Sequence, residues 1–544
     1  MKTLLLAKRY NRIITWSVVF MLLFVFLQIM AQYHFFYMEQ WQTFFYESSF
    51  IKGVLLQPGG FAFLSADFLI QFFCIPYCGA LLLALVLLII AFFTGKIIDN
   101  IIPNLHISYL GIIPAISLLF IQITNVNYHM AGTIAFMFMI LALYYYTRIK
   151  SLKAQIVYCI ILSVALFILA GPIATLFSIN VLLFGLFRTT RRSYYFILPI
   201  LLVCMMAQIS AHLGFSGDYI NFILQDYYFN QSGNAPSFAY QSWIILIIIF
   251  TICLLFRNNK SLNSKTFKTI QILQIILIFV FGCSTYKLVY RPKDETFKQF
   301  TYYLRMHKWD NIIQLSNNVE MSNYIYQICL NIALAEKGEL AEHLLDYHEE
   351  GLASIYLSDE ITSPTVAMIV SDEYFSMGCI AMSQRWAFEA NESMDNNSTY
   401  AFQRLAQTNI LFGAYKVADK YLSILDNTLF YRNWAESQRQ FLYNDKAVEK
   451  DAFMGLKRKC IFPENCFGGQ YGIDNDLKHI IDHNPEHKTT IQYLGSMYIL
   501  INDIDKFNSM IKRYYRTKAL PSLPKSFKLI VDKYNINKKD CINN

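Results

Sequence analysis

Glu39 stands in the run YMEQWQ, shortly beyond the first long apolar stretch of the chain. A carboxylate held at a membrane surface among aromatic rings is partly desolvated. Its pKa then rises toward the range useful for proton abstraction. The same group could hold a divalent cation, the one cofactor this chemistry suggests; a solvated interfacial acid is the plainer alternative. Lys52, in the same outward stretch, has the charge to meet a lipid phosphate or simply to snorkel. His129, in the tight loop NVNYH, and Asp67 are the expected helpers of Glu39. Gln40, Tyr128 and Asp218 join Lys52 as the expected substrate-binding set. His34 and His212 also sit at outer ends of apolar runs. With His129 they could form a proton-transfer or metal cluster, or be ordinary interfacial histidines.

The elements that must position these residues are apolar helices. The chain has 544 residues, and 55% of them are hydrophobic, too many for one soluble domain. Apolar runs near 13–32, 76–95, 107–125, 130–147, 155–171, 173–188, 194–213, 241–256 and 269–289 give about nine spans. Basic residues are biased to one side of them. Up to Lys268 there are 16 basic residues, and Lys52 alone falls in an outward loop. Of the six acids in that stretch, Glu39, Glu47, Asp67, Asp218 and Asp226 fall outward. This positive-inside pattern predicts a polytopic membrane protein with a cytoplasmic N-terminus and an external tail. The net charge of +8 is therefore an insertion signal. No basic stripe is interleaved with exposed aromatics, which argues against a nucleic-acid partner. The first run lacks a small-residue cleavage site and reads as a retained span.

Between the first two spans, residues 33–75 are too apolar for a plain loop and too charged to cross. Two interfacial amphipathic helices fit them, with Phe44, Phe45, Phe50 and Ile51 on one stripe and a break at Pro58-Gly59-Gly60. Gly171-Pro172 predicts an outer turn between two short helices, or alternatively a re-entrant hairpin. There is no Walker A, HExxH, GxSxG or CxxC pattern. The spans carry no acid or lysine at mid-depth, which disfavours an ion-coupled transporter or a lipid-linked glycan flippase.

The layout resembles the C-type (GT-C) fold of integral-membrane glycosyltransferases over about residues 1–290. In that superfamily the first span leads to a long outward loop with two interfacial helices. An acid near its start acts as base or metal ligand, and a polar cluster lies between spans three and four. Glu39 with 40–73 corresponds to the first feature, and Asn127 to His129 occupy the second. The superfamily often has Asp at the first position and another acid at the second, where this chain has His129. The resemblance implies a membrane glycosyltransferase-like protein using a lipid-linked (polyprenyl-phosphate) sugar donor in envelope glycan or glycoprotein assembly. The runs EQWQTFF, LLQPGGFAFLSADFLIQFF and GAYKVADKYL…LFYRNWA further resemble an uncharacterised Bacteroidetes-type family of polytopic proteins with a C-terminal helical-repeat region.

Residues 291–544 have ordinary polarity and little strand signal. Gly413, Tyr415, Ala418, Leu422 and Leu425 follow tetratricopeptide (TPR) spacing; Gly338-Glu339-Leu340, Gly378 and Asn502-Asp503-Ile504 follow it in part. The fold class expected is thus all-α: a polytopic transmembrane bundle, then an extracytoplasmic TPR-like domain able to bind an envelope protein, a peptide or a glycan. The alternative function is a non-enzymatic, membrane-anchored scaffold recruiting envelope proteins through that domain. Cys460 and Cys466 are close enough for a small disulfide loop in an oxidising compartment. His479, His483 and His487, with Asp476 and Asp482, have metal-face spacing, but Pro485 interrupts the helix and favours a solvated loop.

Overall fold

The computed structural model describes residues 2–105, 107–187, 193–215, 218–229, 235–257, 264–357, 363–394, 397–461 and 472–534. Among them the chain is helical, with two isolated bridge pairs, Tyr128–Phe229 and Tyr515–Leu520, in place of any sheet. It divides into two compact units. The first comprises Met1–Glu39 and Phe44–Glu295, the second Gln40–Thr43 and Thr296–Asn544.

The first unit holds α1 (Lys2–Met30), α2 (Gln32–Trp41, whose last residues belong to the second unit), α3 (Ser48–Leu55), α4 (Gly60–Ile70), α5 (Cys78–Ile101), α6 (Ile112–Thr124) and α7 (Met130–Arg148). It continues with α8 (Leu152–Ala170), α9 (Ile173–Leu186), α10 (Leu198–His212), α11 (Gln241–Leu255) and α12 (Ser264–Val289). Seven segments are long and apolar enough to cross a membrane: Arg12–Met30, Cys78–Ile101, Met130–Arg148, Leu152–Ala170, Tyr194–His212, Ser237–Leu255 and Thr269–Val289. The expected spans at 107–125 and 173–188 appear as shorter apolar helices, Ser108–Thr124 and Ile173–Leu186. At 1.5 Å per residue, α9 reaches roughly 21 Å, less than a bilayer core of about 30 Å. Length and composition therefore support seven crossings among the described residues.

Burial ranks these helices. The apolar window of α7 is 67% buried and that of α5 is 56%, against 11% for α1 and α12. The centre of the bundle is therefore α5 and α7, and α1 and α12 present their apolar sides outward. Arg12, near the start of α1, bonds Asp99, near the end of α5, at 2.7 Å, so the two helices run antiparallel. Asn100 bonds Thr147 at 2.9 Å at the same end. Lys96 and Arg148 are electrostatic neighbours of that cluster.

The segment 33–75 forms three helices, α2 to α4, where two were expected. Phe44 and Phe45 precede α3, so the expected helical stripe is absent. The rings converge through tertiary contacts instead: Phe45 meets Phe50 at 5.3 Å and Phe44 meets Phe68 at 5.5 Å. No residue of α3 is buried, which leaves it on the surface.

The second unit is built of helix pairs. Tyr324–Glu336 and Leu340–His343 flank Gly338; Pro364–Met377 and Ile380–Glu392 flank Gly378. Thr399–Leu411 and Tyr415–Asp426 flank Gly413, and Lys488–Leu500 and Ile504–Tyr514 flank Asn502. All four hinge residues have left-handed φ, from +56° to +93°. At each, the next amide reaches back to the helix: Glu339 to Leu334 at 2.7 Å, Cys379 to Tyr374 at 2.8 Å, Ala414 to Asn409 at 2.9 Å and Asp503 to Tyr498 at 2.9 Å. This is the Schellman stop, which glycine and asparagine adopt at least cost. Ala418, Leu422 and Leu425 then bury one face of their helix completely.

Candidate functional site

In the first unit residues from several loops are drawn together by three turns. Gly59 and Gly171 meet backbone to backbone, both at left-handed φ. A Cβ on Gly59 would lie 3.0 Å from the Gly171 nitrogen, so only glycine admits this approach. The Gly59 amide donates to the Ile168 carbonyl at 2.9 Å. Tyr227 donates to the Pro58 carbonyl at 2.7 Å. The buried Tyr228 phenol donates to Ala170 and accepts from the Ile173 amide, bracketing the Gly171-Pro172 turn. The Tyr228 carbonyl in turn accepts the His129 amide at 2.8 Å.

Around this knot runs a buried polar chain. Thr133 donates to Gln122 at 3.0 Å and approaches the Tyr128 hydroxyl at 3.4 Å. Gln122 donates to the Met38 sulfur at 3.6 Å. Tyr128, Gln122, Thr133 and Met38 are all buried, and Glu39, next to Met38 in α2, is 4% exposed. The half-buried His129 ring packs edge-on against Phe63 at 5.5 Å. Asp67, one turn further along α4, is buried too. So Tyr128 is linked to the residue preceding Glu39, and His129 to the helix that carries Asp67.

Other expected residues lie elsewhere. Lys52 is exposed in the last turn of α3. Asp218 is exposed and accepts the Ile220 amide at 3.0 Å, capping a short 3-10 turn. Gln40 is buried but belongs to the second unit. His34 is fully buried, whereas His212 is exposed. Among the described residues no group of three His, Cys, Asp or Glu is placed to hold a metal ion.

Two acids to which the sequence assigned no role also act here. Glu295 accepts the Tyr33 and His34 amides at 3.1 and 3.3 Å, placing an anion at the start of α2 where the helix dipole favours it. Asp226 accepts from the Tyr240 hydroxyl.

Nor did the sequence assign a role to the interior of the second unit. From Ala367 to Met377 every residue of the helix Pro364–Met377 is buried, including consecutive acids, Asp372 and Glu373. Acids inside AMIVSDEYFSM are a legible signal, because a fully buried acid needs a partner or a proton. Asp372 has partners: Arg404 at 2.7 Å and the Tyr400 hydroxyl at 2.6 Å. The Arg404 guanidinium lies over the Phe375 ring at 3.8 Å. Glu373 is 1% exposed, and among the described residues neither carboxylate oxygen finds a hydrogen bond of normal geometry. Burial pushes its pKa well up, and the Leu357 amide offsets that only in part. Burial thus favours the protonated form of Glu373.

The carboxyl end of this helix is closed by polar side chains. Lys457 donates to the Phe375 carbonyl at 2.7 Å and approaches Glu336 at 3.7 Å. Thr490 donates to the Met377 carbonyl at 2.8 Å. His487 is buried between Thr490 and Lys457, and burial with the Lys457 charge holds its pKa well below the usual value. This corrects the expected solvated loop: His479 and His483 are exposed, but His487 is core. Asp482 pairs with Arg513 at 2.6 Å. Cys460 is buried; Cys466, its expected partner, lies outside the described residues.

No curated protein and no solved structure matches the chain. A family model matches residues 8–531, nearly the whole sequence. The chain belongs to DUF6057, a family of unknown function.

Proposed function

We propose that this is a membrane glycosyltransferase-like protein of the bacterial inner membrane. It takes a polyprenyl-phosphate-linked sugar on the extracytoplasmic face and serves envelope glycan or glycoprotein assembly. In this reading α6 and α9 cross with the seven longer helices, giving nine spans and a GT-C-like bundle. The N-terminus is cytoplasmic, and the helix pairs form a TPR-like domain outside.

The observation that carries the reading is the buried chain Met38–Gln122–Thr133–Tyr128. It ties the helix of Glu39 to the α6–α7 loop, the two places from which a GT-C site is assembled. Glu39 deprotonates or orients the acceptor, with His129 or Asp67 beside it, and Lys52 meets the donor phosphate.

Lipid-linked sugars and surface glycans are profiled in cells lacking the protein and in cells carrying Glu39→Gln at normal abundance. Accumulation of one lipid-linked sugar in both is expected. A normal profile in both refutes transfer and assigns the protein to the scaffold reading, in which Glu39 and His129 tolerate alanine.

A further inference from the structure

Within the second unit a small open cleft lies over the Asp372–Arg404 pair. Its floor is Asp372, Arg404, Tyr400 and Phe375; its rim includes His307, Trp309, Glu336 and Phe453. His307 has a left-handed backbone, φ +51°, which a non-glycine residue adopts at some cost. Its ring packs edge-on against Trp309 at 5.0 Å. Phe453 is 41% exposed although large and apolar.

The charges in this cleft cancel. Asp372 is matched by Arg404, and Glu336 by Lys457. An anion would meet two carboxylates, and a cation would meet Arg404, which already covers the Phe375 face. Hydrogen-bonding capacity nevertheless remains. The Arg404 Nε is buried and donates to nothing among the described residues. Asp372 accepts one bond on each oxygen and has lone pairs to spare. A spare donor beside spare acceptors, with no net charge and aromatic walls, suits neighbouring hydroxyl groups on an apolar-faced ring. The deep part has room for about one or two water molecules, so a hydroxymethyl or a pair of hydroxyls enters while the ring stays at the rim.

We propose that this cleft binds a neutral glycan, whose hydroxyls bond Asp372 and Arg404 while its ring packs against Trp309 and Phe453. Binding here does not rest on the transferase reading: a scaffold with this cleft would hold the same ligand.

The detergent-solubilised full chain is titrated with maltotriose, cellotriose and chitotriose, and separately with inorganic phosphate and tetramethylammonium, by saturation-transfer NMR. At least one trisaccharide is expected to bind, and Trp309→Ala with Phe453→Ala to weaken it by about tenfold or more. The same loss is expected in Arg404→Lys, which keeps the charge but removes the Nε donor. Each variant is compared at an unchanged melting temperature, the rim pair serving if Arg404→Lys does not fold. No trisaccharide binding at about 10 mM, a Kd weaker than about −3 kcal/mol corresponds to, overturns the proposal. So does binding of phosphate or tetramethylammonium alone, or undiminished binding by the rim variant. Because no sugar donor is present, failure here leaves the lipid-linked sugar profile to decide transfer independently.

Discussion

Replacing Asp372 with alanine would leave Arg404 charged, 5% exposed and without its carboxylate. Removing one partner of a buried ion pair costs about 3–5 kcal/mol, because the surviving charge stays desolvated. The Tyr400 hydroxyl loses its acceptor as well. That loss belongs to the same network and overlaps with the first rather than adding to it. The Phe375 ring under the guanidinium recovers roughly 1–2 kcal/mol at most. A net loss of about 2–3 kcal/mol corresponds to a fall of about 4–12 °C in melting temperature for a unit of this size. The assay is thiol labelling of Cys329 against temperature, read by peptide mass. Cys329 is fully buried in the core beside this network and reports the second unit alone. Asp372→Leu combined with Arg404→Met should recover most of the loss, since an apolar pair of similar volume carries no desolvation cost. A single variant within about 1 kcal/mol of the native protein would refute the argument. So would a double variant as unstable as the two single changes together.

Glu349 is crowded by burial, with Asn331 donating to its carboxylate at 3.1 Å, and its pKa is pushed up to about 7. The folded state therefore holds a proton that the unfolded state releases between about pH 4.5 and 7, so this group lowers stability as pH rises through that window. Glu349→Gln should raise the melting temperature at pH 8, by the equivalent of up to about 3 kcal/mol, and give little gain at pH 4; an equal gain at both pH values would contradict it. Gly59→Ala forces a side chain into a left-handed backbone 3.0 Å from the Gly171 nitrogen. A loss of about 2 kcal/mol or more is expected in denaturant unfolding of the first unit, and a neutral result would mean that the two turns do not touch.

The sequence by itself determined the class of this protein. Twenty-residue apolar runs admit few structures other than helices in lipid, because every backbone amide must find its partner locally. It also placed the hinges of the tail. Gly338, Gly378, Gly413 and Asn502 were legible because helix ends demand residues that tolerate positive φ, and that preference is local. Local chemistry likewise put Gly171-Pro172 at a turn.

Tertiary structure decided what meets what. That Gly59 abuts Gly171, or that Tyr228 closes the turn beside it, depends on contacts far apart in the chain. Nothing in YMEQWQ marks Met38 as the residue Gln122 reaches. Asp218 is exposed and caps a short turn, because an aspartate favours a turn start wherever a free amide follows. Asp372 and Arg404 are 32 positions apart and meet because two helix pairs stack. Pairing of buried charges is a property of packing, and packing is set by the whole core rather than by any window of sequence.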